Sequence, residues 1–163
     1  MSKKLILGIL FLIVGACNTI KPVTKEDKSK EEKVDTRTEK LLSTAESQLG
    51  RPYKYAGNTP KGFDCSGFTN YSFSSIGILL SRDSRSQSQQ GLKIPMKDIQ
   101  EGDLVFFKKG GRIFHVAMVY KVEAERFAII HSTSSRGVVI DYTDGASWRS
   151  YWKDKVAFAR RVL

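Results

Sequence analysis

Cysteine and histidine are scarce in this sequence of 163 residues, which contains two of each. Neither His-x-x-x-His nor Cys-x-x-Cys occurs, so the closely spaced ligand pairs of most zinc sites are absent. A zinc site made from one cysteine and both histidines is chemically reasonable, but no second ligand lies near any of them in sequence. We therefore expect neither a metal ion nor a cofactor.

Long hydrophobic runs are also missing. The longest, Leu5–Ala16, has about twelve residues and is too short to cross a bilayer core at ~1.5 Å per residue. Lysines precede this run and small residues end it, as in a secretory signal peptide, and residues 14–17 (Val-Gly-Ala-Cys) resemble the lipobox of bacterial lipoproteins. We expect a signal peptide over residues 1–16 and lipid on Cys17, with a short membrane anchor as the alternative.

Apolar residues are few between residues 18 and 34, where Lys, Glu, Asp, Thr and Ser dominate. Such a segment buries too little surface to offset the entropy of ordering it. Residues 17–35 are therefore predicted to be a lipidated cysteine and a flexible tether, with a solvated helix over residues 25–33 as the alternative. Residues 36–163 then form one domain of ordinary size.

Positive charge exceeds negative charge, with a net charge of +10. Residues 41–163 hold 18 Lys and Arg against 11 Asp and Glu, which leaves +7 on the domain. A basic domain suits an anionic partner such as a cell-wall polymer or a lipid surface. Nucleic acid is disfavoured, because the cations do not cluster with stacking aromatic residues in any recognisable module.

The periodicity of the domain changes from helical to extended along the chain. A capping-box spacing predicts a first helix from Thr36 to a stop at Gly50, and a second helix over 64–76 and a short one over 84–90 follow. Four apolar residues mark one face of the first helix: Leu41, Leu42, Ala45 and Leu49. Strands are predicted over 103–107, 114–122, 127–132, 138–142 and 156–161. This order indicates an α+β domain in which N-terminal helices pack on an antiparallel sheet of five or six strands.

Cys65 is the cysteine left over once Cys17 is assigned to lipid, and an unpaired cysteine in an exported protein is a reactive thiol or half of an intermolecular disulfide. It lies where a glycine-rich loop is predicted to turn into the second helix. The N–H groups and dipole at a helix N-terminus favour the thiolate and can lower the pKa of a cysteine from ~8.5 to between about 3.5 and 7.5. The alternative is a buried structural cysteine.

The two histidines are the candidate bases for this thiol. His115 shares a face of one predicted strand with Val119, and His131 shares a face of the next strand with Ile129. If these faces are buried, the two rings can meet between neighbouring strands, one pairing with the thiol and the other orienting the first. The spacing does not say which ring has which role.

Five blocks of the sequence, taken in order, resemble the NlpC-type cell-wall peptidases. The opening block is the most extensive, and together the five extend over about residues 41–163. They are 49–57 with 63–68, 81–87, 102–107 with 115–120, 130–132 and 159–162.

This resemblance implies a papain-like fold in which Cys65 is the nucleophile, His115 the base and His131 the residue that orients the base. It also implies that Tyr53 helps to form the oxyanion site. Three further residues correspond to positions that line the substrate groove of the family: Asp64, Ser66 and Ser84. The sequence departs from the family pattern at Ala56, which replaces the first glycine of Tyr-Gly-Gly, and at Ser81 and Asp83, which replace Pro and Thr.

The resemblance also implies an activity, namely hydrolysis of peptide bonds in peptidoglycan stem peptides or cross-links by a DL- or DD-endopeptidase. The alternatives are an amidase of the related cysteine/histidine group, whose third residue is usually acidic or an amide rather than His131, and a catalytically inactive wall-binding module. We expect a monomer that binds peptidoglycan and, through lipid on Cys17, a membrane. Asn18 favours an outer membrane, facing the periplasm, in an organism that has two membranes.

Overall fold

The computed structural model describes residues 25–163, with side chains described from Thr36 onward. The predicted signal peptide, Cys17 and the first part of the tether lie outside these residues. Within them are three α-helices: α1 (Lys25–Glu46), α2 (Cys65–Ser74) and α3 (Ser84–Gln87). No helix in residues 25–163 is both long enough and apolar enough to span a bilayer.

The strands of residues 25–163 form one hairpin and one sheet. The hairpin pairs β1 (Asn58–Thr59) with β2 (Gly62–Phe63). The sheet has the order β3-β8-β4-β5-β6-β7, and every neighbouring pair is antiparallel. Its strands are β3 (Leu92–Ile94), β4 (Leu104–Lys109), β5 (Arg112–Val122), β6 (Phe127–Thr133), β7 (Gly137–Tyr142) and β8 (Val156–Arg161). The predicted α+β class and antiparallel sheet of five or six strands are confirmed, and the sheet has six.

The first helix differs from its prediction at both ends. It begins at Lys25 rather than Thr36, so the backbone of residues 25–35 is helical, as in the alternative given above for residues 25–33. Lys and Glu, which dominate this segment, are good helix formers, and the helix needs no cap at Thr36. At the other end the helix stops at Glu46, so Leu49 lies in the following turn and is 41% exposed instead of sharing the buried face.

Short strands were not predicted. The glycine-rich segment before Cys65 was expected to be a loop, but it contains the β1–β2 hairpin. The edge strand β3 was also missed. Strands of two or three residues are too short to show an alternating pattern, which is why the sequence gives no signal for them.

The sheet has an apolar core on each face. On one face α1 and α2 pack Leu41, Phe68 and Phe73 against the sheet. The other face is covered by a single π-helical turn, Trp148–Trp152, whose tryptophans pack on the sheet. The strands β4 to β6 therefore bury both faces, which accounts for their nearly continuous hydrophobic sequences.

Two contacts hold the start of α2 against the rest of the molecule. A Cβ atom on Gly67 would lie 2.0 Å from the carbonyl oxygen of Gly57, so the hairpin and the helix can approach this closely only with glycine at that position. The hydroxyl of Ser132, on β6, donates to the carbonyl of Phe63 at 2.8 Å. The residues just before Cys65 are therefore fixed relative to β6.

Candidate active site

Cys65 is the first residue of α2, as predicted. Asp64 caps the helix, and its carboxylate accepts a hydrogen bond of 2.7 Å from the N–H of Gly67. The Cys65 side chain is partly buried against the core beneath α2. The cap leaves the thiol at the helix N-terminus, beside the strand β5.

The expected lowering of the Cys65 pKa is not found. Burial raises the pKa of the thiol, and the negative charge of Asp64 acts in the same direction. Hydrogen bonds from the backbone N–H groups of Val116 and Ser66 oppose this rise but do not overcome it. The prediction was wrong because the helix N-terminus is not the only influence on the thiol. Placing a thiolate in a partly desolvated site is unfavourable, and this effect raises the pKa. These surroundings therefore favour the neutral thiol over the thiolate.

The two histidines meet between β5 and β6. His115 is 6% exposed and His131 is fully buried, and Nε2 of His115 lies 2.9 Å from Nδ1 of His131. This confirms the predicted burial of both strand faces and the contact between the rings. Because Nε2 of His115 is occupied by His131, its Nδ1 atom is the one left for another partner. Burial lowers the pKa of His115 well below its ordinary value, and the neighbouring His131 lowers it further.

An acidic group continues this chain of contacts on β7. Oδ2 of Asp141 lies 3.0 Å from Nε2 of His131. Arg136 donates to both oxygens of the same carboxylate, at 2.6 Å and 3.0 Å, and the Ser147 hydroxyl donates to it at 3.1 Å. Burial on its own would raise the pKa of Asp141, but its bonds to His131 and Arg136 outweigh that effect and hold the pKa well below its usual range.

Asp141 was not identified from the sequence. A signal was present, since it is the one charged residue in an otherwise apolar predicted strand of five residues, 138–142. Such a residue usually has a buried partner. Arg136 and Ser147 gave no comparable signal, because Arg136 lies in a turn and Ser147 at the start of the helical segment before Trp148, where polar residues are ordinary.

Cys65, His115 and Tyr53 open onto one cavity of about 540 Å³. Tyr53 is held in place by a bridge to Phe63. Burial raises the pKa of the Tyr53 hydroxyl, and the nearby Cys65 and Asp64 raise it further, so the hydroxyl stays protonated and can donate. Other polar groups reach the same cavity from the β6–β7 turn and beyond: Ser132, Thr133, Ser134, Ser135, Arg136 and Ser147.

The three predicted groove residues are not among the residues that line this cavity. Asp64 forms a two-bond ion pair with Arg82, at 2.7 Å and 3.0 Å. The Ser66 hydroxyl is buried and lies between Asp64 and Arg82, 3.2 Å from each. Ser84 is the first residue of α3. Arg82, which received no role from the sequence, therefore joins α3 to the start of α2.

An aromatic side chain covers the histidines from outside the sheet. Trp152 is 6% exposed and stacks on His115, with ring centroids 4.6 Å apart. It also contacts His131 at 5.0 Å. The π-helical turn therefore forms a wall that keeps water from the two rings, and the sequence alone gave no indication of it.

Metal ligation has no support in the part of the chain that the structure describes. Within residues 36–163, whose side chains the structure describes, no three His, Cys, Asp or Glu side chains are grouped in a way that could hold a metal ion.

Comparison with known sequences identifies relatives. The profile of the NlpC/P60 family matches residues 50–160. The γ-DL-glutamyl hydrolase of Bacillus subtilis is 35% identical over 155 residues, which are 93% of this chain and 36% of that protein. A protein of Escherichia coli named as murein DD-endopeptidase and murein LD-carboxypeptidase is 34% identical over 115 residues, 70% of this chain and 57% of that protein. The chain thus spans about a third and just over half of the lengths of these relatives.

Comparison with solved structures identifies the same family. The crystal structure of an NlpC/P60 family protein from Bacillus cereus superposes with a TM-score of 0.67 and 36% sequence identity. The match covers 77% of this chain and 40% of that one.

Proposed function

Because this chain belongs to the NlpC/P60 family, we propose that it is a cysteine peptidase that hydrolyses peptide bonds in the stem peptides or cross-links of peptidoglycan. The observation that carries the proposal is the cavity shared by Cys65 and His115, with His131 in contact with the far side of the His115 ring. A nucleophile, a base and a group that orients the base are the parts that acyl transfer by a thiol requires. No cofactor takes part.

In the proposed mechanism the neutral thiol passes its proton to Nδ1 of His115 as the sulfur attacks the carbonyl carbon. His115 then gives this proton to the leaving amine, the C–N bond breaks, and a thioester remains on Cys65. Water, deprotonated by the same ring, attacks the thioester and releases the new carboxylate and the thiol. His131 holds the His115 ring in place throughout.

Tyr53 is assigned to the oxyanion site together with the first N–H groups of α2. Its protonated hydroxyl reaches the same cavity as Cys65. Donors placed where negative charge develops typically contribute ~3 kcal/mol each to the transition state. Asp64, Ser66 and Ser84 keep their assignment to the substrate groove, on the side of Cys65 where α3 lies.

The proposed reaction is tested by incubating the full chain with muropeptides and measuring the masses of the products. We expect fragments of stem peptide. The masses of the products give the position of the bond. Cleavage of a γ-glutamyl bond would match the name of the B. subtilis relative, and cleavage of a DD cross-link would match the name of the E. coli relative. Separation of whole stem from sugar would identify an amidase, and binding without products would identify a wall-binding module. Cys65→Ala is the control, and undiminished cleavage by it would overturn the mechanism.

The proposed location is the cell envelope, where lipid on Cys17 anchors a monomeric enzyme to a membrane. Residues 14–17 carry the lipobox resemblance that supports it. Radiolabelled palmitate should label the wild-type chain and leave Cys17→Ala unlabelled. Fractionation of the membranes of a two-membrane host should then recover the label with the outer membrane, because Asn18 rather than Asp follows Cys17. Label on Cys17→Ala would rule out this anchor.

A further inference from the structure

We propose that Asp141 is a positioning residue that sets the tautomer of both histidines, so that the base nitrogen of His115 faces Cys65 unprotonated. The inference extends the proposed function, on which its role in catalysis rests. It starts from an unbroken line of contacts from β7 to β5, with 3.0 Å between Asp141 and His131 and 2.9 Å between His131 and His115.

The direction of each hydrogen bond follows from the chemistry of its end group. Arg136 donates to both oxygens of Asp141 and keeps the carboxyl ionised, so Asp141 can only accept. His131 must then carry its proton on Nε2 and donate to Asp141. A neutral imidazole has one N–H, so Nδ1 of His131 has a lone pair and accepts from Nε2–H of His115. Nδ1 of His115 is consequently the unprotonated atom, which is the state that a general base needs.

The surroundings of the rings favour this placement of the protons on both histidines. Both histidines are buried, and Trp152 is stacked on the His115 ring. Cys65 shares the cavity with His115, and the other ionisable groups that act on the two rings are each other, Asp141 and Arg136. Burial and His131 oppose protonation of His115, while the negative charge of Asp141 favours it. The same carboxylate therefore stabilises the imidazolium formed when the thiol proton is taken up.

The chain is well suited to a direct test, because it has only two histidines. Long-range ¹H–¹⁵N spectra of the full chain report the protonated nitrogen of each ring. We expect Nε2–H on both rings in the wild-type protein. An Nδ1–H signal from either ring overturns the inference, whether or not the protein cleaves muropeptides. A wild-type protein that shows the expected tautomers but cleaves nothing would instead remove the proposed function and leave the ring order standing.

The variant Asp141→Asn tests the consequence for catalysis. Its amide oxygen is expected to stay with Arg136 and its NH₂ group to face His131, which reverses both hydrogen bonds and leaves Nδ1 of His115 protonated. We expect kcat to fall at least about 100-fold with little change in KM, by analogy with the loss seen when a triad acid is made neutral. On the acidic side of the pH–activity profile, the residual activity of Asp141→Asn should be lost at a lower pH than wild-type activity, because loss of the negative charge lowers the pKa of His115 further.

Asp141→Glu is the conservative control, since it keeps an ionised acceptor, and it should recover much of the lost kcat and the Nε2–H pattern. If Asp141 had only a structural role, Asp141→Asn would have a lower melting temperature, but the tautomers of both rings and the acidic side of the pH–activity profile would not change. That result, in a folded Asp141→Asn protein, would overturn the inference. If Asp141→Asn does not fold, the wild-type spectrum still decides the ring order.

Discussion

At the scale of single residues, the site combines groups whose charged forms are disfavoured at rest. Burial raises the pKa of Cys65 and lowers that of His115, so both directions favour a neutral thiol beside a neutral ring. The ion pair forms only as the thiol proton moves, when the N–H of Val116 and the carboxylate of Asp141 stabilise the separated charges. A nucleophile of this kind needs its base throughout the reaction.

Tyr53 gives the first prediction at this scale. Replacement by Phe removes one hydroxyl donor from the cavity and nothing else, so kcat for muropeptide cleavage should fall about 100-fold while KM changes little. The matched control is Tyr55→Phe, two residues away, because Tyr55 is 87% exposed and does not line the cavity. Equal kcat values for the two variants would show that the Tyr53 hydroxyl does not stabilise the oxyanion.

Ala56 gives the second prediction at the scale of single residues. It replaces a glycine of the family pattern and has a φ of +56°, a left-handed conformation that costs a residue with a Cβ atom about 1–2 kcal/mol. Ala56→Gly should therefore raise the free energy of urea unfolding, by up to about 1 kcal/mol after the greater freedom of unfolded glycine is subtracted.

Ala124→Gly is the control for this change, because Ala124 is also exposed but has no positive φ. It should lower the free energy of unfolding, since only the entropic effect remains. Two variants that both lose stability would show that Ala56 is not strained.

At the scale of elements, three adjacent strands bring His115, His131 and Asp141 together. Antiparallel pairing of β5 with β6 and of β6 with β7 places all three on one face of the sheet. The order of strands therefore matters more than the distance in sequence, which is 26 residues from His115 to Asp141 (141 − 115).

The attachment of α3 to α2 carries the element-scale prediction. Gln87 is fully buried, donates to the carbonyls of Ser66 and Ser81 at 2.9 and 2.8 Å, and accepts from the Thr69 hydroxyl at 2.9 Å. Gln87→Ala removes all three bonds, leaves the Ser81 carbonyl without this donor and opens a cavity, and it should reduce the free energy of unfolding by about 2–4 kcal/mol in a urea titration. Gln100→Ala, at an exposed position, should stay within about 0.5 kcal/mol of wild type. A loss of less than about 0.5 kcal/mol for Gln87→Ala would show that the hydrogen bonds of Gln87 do not stabilise the fold.

At the scale of the whole molecule, the sheet separates two cores, and the site lies where α2 and the π-helical turn both reach it. The helix α2 supplies Cys65, the sheet supplies the histidines and the turn supplies the aromatic cover. No one layer holds a complete site.

The net charge of +10 gives the prediction for the whole molecule. Attraction to an anionic wall polymer is screened over about 30 Å at 0.01 M salt and about 3 Å at 1 M. Binding of the Cys65→Ala protein to isolated peptidoglycan should therefore weaken at least about tenfold over this range of NaCl, as measured by co-sedimentation. Sucrose at matched osmolarity should leave binding unchanged. Salt-independent binding would show that net charge does not contribute.

The sequence by itself determined the α+β class, the approximate residue ranges of the five longer strands, the start of α2 and the two histidines that meet. These follow from local rules, because periodicity, caps and a leftover cysteine depend only on neighbouring residues. Local rules left open which of the two rings lies beside Cys65; in the structure His115 shares the cavity with Cys65, while His131 and Asp141 lie behind it. Only the tertiary structure decided that the neutral thiol is favoured, because desolvation is a property of everything packed around Cys65 and not of its place in the chain.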